Sequence, residues 1–167
     1  MTTAIIGLGV RMLIMAACIL VTLPAFALDR QKAEAVVAVL EELSPARGEA
    51  VYYDDEAAAD WFEFDQESDG LIITAGFTEE SWEMSYEHTM KGFMATIPEI
   101  EFLSAYDGFE VKISAIPGLT DVQKREAMTE WQAQIERAKG YRSEGTLYVH
   151  AVRDLAERLR ALSGLAE

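Results

Sequence analysis

Cysteine occurs once in this chain, at position 18, and not again. Residues 28–167 therefore hold no disulfide, no thiolate metal site and no cysteine nucleophile. Cations are also in short supply, with 14 Lys and Arg against 29 Asp and Glu and a formal charge of −15. Nucleic acid and anionic membrane surfaces bind proteins whose basic side chains displace counterions, so this balance argues against both as partners. Cationic small ligands, metal ions or a basic patch on another protein suit it better, and the acids also keep a protein soluble. Gly-x-Ser-x-Gly, Ser-x-x-Lys and His-Glu-x-x-His are all missing, and the glycines nowhere form a phosphate-cradling loop. Nucleophilic and metalloprotease chemistry thus lack their usual carriers. The sequence also lacks internal repeats, low-complexity tracts and any linker long enough to divide it, which points to one domain over residues 28–167.

What is present begins with an export signal. Arg11 precedes the apolar run Met12 to Leu23, then Pro24 and Ala25-Phe26-Ala27, whose two alanines suit the small side chains a signal peptidase accepts. Residues 1–27 are expected to be removed, leaving an acidic periplasmic or secreted protein. Two alternatives stay open. Ala4 to Val10 extends the apolar stretch ahead of Arg11 and allows an uncleaved membrane anchor, the one route to membrane contact. Met15-Ala16-Ala17-Cys18 has the form of a lipoprotein box, with Cys18 lipidated.

Periodicity then predicts an α+β domain, a short antiparallel sheet packed by three to four helices. Ala33, Val36, Val37, Leu40 and Leu43 recur at helical spacing behind Asp29 as N-cap, with Ser44-Pro45 and Gly48 as the stop. Glu49 to Tyr53 reads as a short strand. Trp61 to Phe64 and Leu71 to Thr74 read as a hairpin turning at Ser68-Asp69-Gly70. Thr78 caps a helix whose stripe is Trp82, Tyr86, Met90, Phe93 and Ile97, interrupted by Pro98. Phe109, Val111 and Ile113 alternate with Glu110, Lys112 and Ser114, the period of a strand. Thr120 opens a capping box for a helix closing at Gly140, and Tyr148 to Leu162 carries a last helix ending before Gly164.

Several groups of residues are candidates for chemistry. Asp65-Gln66-Glu67-Ser68-Asp69-Gly70-Leu71-Ile72 resembles the first part of an EF-hand calcium loop, with acidic oxygens at loop positions one, three and five and glycine at six. The resemblance implies weak calcium binding through Asp65, Glu67 and Asp69. It departs from the family at position twelve, where Gly76 replaces the bidentate Glu. Tyr52, Tyr53, Trp61 and Phe62 lie close in sequence to Asp54, Asp55, Glu56 and Asp60. Aromatic faces beside carboxylates suit a cationic ligand or a basic protein surface. His88 follows Met84 by one helical turn, as Met94 follows Met90, a spacing a soft metal could use, although methionines at such spacing ordinarily fill cores. His150 and Asp154 share a face as an expected surface ion pair, and Glu79 with Glu83 pairs two carboxylates four residues apart. No residue is singled out as catalytic. The expectation is an exported, non-catalytic binding or interaction protein without a resident cofactor. Calcium binding at 65–72 and a carboxylate-dependent hydrolase are the alternatives.

Overall fold

The computed structural model describes residues 28–165, and among these every regular element is helical. The helices are α1 Arg30–Arg47, α2 Ala57–Gln66, α3 Leu71–Thr74, α4 Glu79–Thr96, α5 Glu99–Ser104, α6 Phe109–Ala115, α7 Asp121–Gly145, α8 Val149–Val152 and α9 Ala156–Leu162. A 3-10 turn, Arg153–Leu155, joins the last two. The leader, with its anchor and lipidation alternatives, lies outside the described residues. Among the described residues no helix is long and apolar enough to cross a membrane.

The long helices start where their caps predict. Asp29 accepts from the Lys32 amide at 2.8 Å, while Thr78 and Thr120 each form a capping box with the residue three places on. Their stops differ from expectation in two places. Pro45 sits inside the last turn of α1, which ends at left-handed Gly48, and α7 runs through Gly140 as far as Gly145. A single glycine costs only about 1 kcal/mol in a helix, too little to stop α7 while its downstream residues pack.

The α+β expectation is overturned: the described residues contain no strand and no sheet. Each segment read as β has a physical reason to be something else. Residues 49–53 are extended but unpaired as a ladder, the Val51 amide donating to the Leu162 carbonyl at 2.9 Å. In residues 57–66 burial falls on Ala57, Ala58, Trp61, Phe62 and Asp65, a helical period that the aromatic run alone conceals. Residues 71–74 form one helical turn because the Asp65 carboxylate accepts from the Leu71 and Ile72 amides, both at 2.8 Å. In 109–115 the alternation was deceptive, since Phe109 and Ile113 are also four apart. Ile113 is buried and Phe109 stacks on Trp131 at 3.8 Å, while Val111 is left 71% exposed.

Helix α4 is the centre of the fold, with α1, α2, α7 and α8 packed around it. It is buried nearly all round, through Trp82, Tyr86, Met90, Phe93 and also Ser85, Thr89, Lys91 and Gly92. The Trp82 indole donates to the Ala58 carbonyl at 2.9 Å, tying α2 to it, and the Tyr86 hydroxyl donates to the Tyr52 carbonyl. The crossing with α7 depends on glycine: a Cβ at Gly145 would lie 1.9 Å from the Lys91 carbonyl oxygen. That approach sets one wall of the site described next.

Candidate functional site: an acidic, tyrosine-lined groove

The extended segment between α1 and α2 runs beside α7, and a groove of about 660 Å³ lies between them. Tyr53, Asp54, Asp55 and Glu56 line one side, and Gln134, Arg137, Ala138 and Tyr141 of α7 the other. Local hydrogen bonding fixes the acidic side. Asp54 Oδ1 accepts from the Glu56 and Ala57 amides at 2.9 and 2.8 Å and so starts α2, and Asp55 Oδ1 accepts from the Tyr141 hydroxyl at 2.7 Å. Tyr52 donates to Asp60 Oδ2 at 3.0 Å. Arg137, the cation in the lining, is turned to Glu130 at 2.9 Å. Three acidic residues thus line the groove, and the cation of the lining is bonded elsewhere. A smaller depression of about 200 Å³ shares Tyr53, Asp54 and Asp55 and adds Glu83 and Glu87.

Beside the groove the protein already holds an ammonium group in the same chemistry. Lys91 Nζ donates to Glu87 and Glu144, both at 2.6 Å, and lies 5.9 and 5.2 Å from the ring centroids of Tyr53 and Tyr141. Those rings meet edge to face at 5.0 Å. Burial draws the Lys91 pKa down, but the bonds to Glu144 and Glu87 outweigh it and hold the amine above its ordinary range, fully charged. Burial and the nearby Glu87 push the Tyr53 hydroxyl up, and the bond to Asp55 followed by burial does the same for Tyr141. Both tyrosines are therefore neutral faces and donors across the physiological range.

A second cavity, of about 210 Å³, adjoins the groove and has a different character. Its walls include Met90 and Phe93 of α4, Ile97 directly after it, and Phe102 of α5. Glu101, its carboxylate, is held by two hydrogen bonds from Arg160, and Ser163 contributes a buried Oγ without a partner. Tyr53, Met94 and Tyr106 line both cavity and groove.

The sequence candidates divide accordingly. Tyr53, half-buried, lines both groove and cavity, whereas Tyr52, 37% exposed, lines the cavity and not the groove. Trp61 and Phe62 do not join them: at 0% and 5% exposure they belong to the core, Trp61 lying under the Arg47 guanidinium at 4.9 Å. Asp65 is buried with both carboxylate oxygens on backbone amides, whereas Glu67 and Asp69 are exposed. Among the described residues no group of three or more His, Cys, Asp or Glu is disposed to hold a metal ion. His88 stacks on Tyr148 at 4.1 Å, Met90 fills the core, and the expected His150–Asp154 pair is replaced by Arg30–Asp154 at 2.9 Å. Glu79 is exposed at the start of α4, and Glu83 lines the smaller depression. Sequence reasoning missed Tyr106, Tyr141 and Lys91. The one available signal for Tyr141 was its place directly after Gly140, where the helix had been expected to end.

No protein-family model, curated protein or solved structure matches the chain.

Proposed function

We propose that this protein is a non-catalytic binding protein, exported by its leader, that takes a small organic cation in the groove between residues 53–56 and α7. The observation that carries the reading is the concave meeting of Tyr53, Asp54, Asp55 and Glu56 with Tyr141. Carboxylates supply charge, the tyrosine faces supply the negative side of their quadrupoles, and the concavity removes water from both. The Lys91 ammonium, 5.9 and 5.2 Å from the centroids of the same two rings, supports the choice of ligand, because the protein holds that group beside them with its own atoms. A proton-donating hydrolase has less support: Glu41 and Glu101 are shifted downward, each chiefly by the hydrogen bond from its arginine, opposite to what a general acid needs.

The test is a titration of the protein with tetramethylammonium chloride at low salt, followed through tyrosine ring resonances. Saturable shifts of Tyr53 and Tyr141 are expected in the parent. The double variant Asp54→Asn, Asp55→Asn keeps an acceptor for the Glu56 and Ala57 amides and one for Tyr141 but removes two charges, and should bind at least tenfold more weakly. Equal binding by parent and variant would overturn the reading. Export is checked separately, by N-terminal sequencing of natively produced protein, with Leu28 expected first.

A further inference from the structure

We infer that the ligand is an amphipathic cation, its ammonium head in the acidic groove and an apolar chain in the adjoining cavity; the inference rests on the groove being a cation site. The two spaces share Tyr53, Met94 and Tyr106, so they are neighbours across a common wall. Met94, half-buried and unbranched, is the adaptable member of that wall. On one side are the carboxylates of Asp54, Asp55 and Glu56. On the other are Met90, Phe93, Ile97 and Phe102, side chains with no hydrogen bond to offer a charged group.

Size and charge narrow the occupant. An apolar cavity of about 150 Å³ is known to hold a molecule as large as benzene, so about 210 Å³ accommodates a chain of roughly six carbons or one aromatic ring. A fatty acid has the right tail and the wrong head, since its carboxylate would emerge beside three others. Glu101 offers an acidic head no compensation, its own charge being met by Arg160. An alkyl- or arylalkyl-ammonium satisfies both spaces at once.

The experiment is a calorimetric and NMR titration of the intact chain with tetramethyl-, butyltrimethyl- and hexyltrimethylammonium, and with hexanoate as the anionic control. Each methylene that enters the cavity should tighten binding by about fourfold, until the cavity is filled. Hexanoate should not bind. Ala105 lines the cavity from an exposed position at the end of α5, and Ala105→Phe should remove the chain-length gain while leaving tetramethylammonium affinity unchanged. Tetramethylammonium binding with no chain-length dependence would overturn this inference and leave the cation site standing. Failure of every cation would overturn both. Hexanoate binding as tightly as the hexyl cation would show a tail site indifferent to charge and overturn the pairing of head and tail. Should Ala105→Phe fail to fold, the chain-length series on the parent protein decides alone.

Discussion

Gly145 and Gly140 lie one and a half turns apart on the same helix and make opposite demands. A methyl group at 145 would strike the Lys91 carbonyl and carbon, backbone atoms that cannot turn aside, whereas nothing lies within 4 Å of a methyl at 140. Gly145→Ala should cost about 3 kcal/mol by forcing α4 and α7 apart. Gly140→Ala should instead stabilise by about 1 kcal/mol through helix propensity. Urea denaturation of the two variants checks both signs. Asp65 provides a second contrast. Asp65→Ala removes the acceptor of two backbone amides at the start of α3 and should lose about 3 kcal/mol, while Glu67→Ala and Asp69→Ala, both exposed, should stay within about 0.5 kcal/mol. The loss at Asp65 should be the same with and without added calcium. If calcium raises the stability of the parent but not of Asp65→Ala, the carboxylate is a metal ligand after all and not simply a cap.

At the scale of elements, the seam between α4 and α8 gives the protein a dependence on pH. His88 is flanked by Tyr148, with its Nδ1 buried and unpartnered, and burial lowers its pKa below the ordinary histidine value of 6.5. Glu87 pulls the other way and Lys91 adds to the lowering. Because the native ring takes its proton later than the unfolded one, this contribution to stability is complete above pH 6.5. It declines as the pH falls from 6.5 through the native value. Glu41, lowered by the hydrogen bond from Arg158, begins to lose its contribution only below 4.5, so the decline due to His88 starts first as the pH falls. Urea midpoints between pH 7.5 and 5.5 should fall in the parent and change less in His88→Phe, which keeps the stack on Tyr148. The elements also show what a single sequence discloses. The starts of α1, α4 and α7 were legible because Asp29, Thr78 and Thr120 act within three residues of themselves. The segments mistaken for strands were short. Over five residues an alternating pattern contains an i, i+4 pair, and only Trp131, contributed by another helix, decides which period is used at Phe109.

For the whole molecule, the groove shows the same division between local and distant information. Tyr53 and the acids beside it are contiguous and could be picked out as a cation-seeking surface. Tyr141 reaches Asp55 across 86 positions, and no local pattern announces that meeting. Charge, by contrast, is legible in full from composition, and it yields a prediction. Of the basic side chains, Arg30, Arg47, Lys91, Arg137, Lys139, Arg158 and Arg160 already have acidic partners, yet acids outnumber bases by 15. Most carboxylates therefore repel one another in the folded chain more than in the expanded one. Raising NaCl shortens the screening length from about 30 Å at 0.01 M to about 8 Å at 0.15 M, which weakens that long-range repulsion more than it weakens contact pairs below 3 Å. The melting temperature should rise by about 3–6 °C over this interval, a gain of about 1 kcal/mol for a chain of this size, and then level off. Affinity for tetramethylammonium should fall over the same range, since the field that strains the fold is the one that draws the cation in. Calorimetric scans and ligand titrations in one salt series measure both, and a melting temperature that drops with salt would mean that the ion pairs outweigh the surplus of acid.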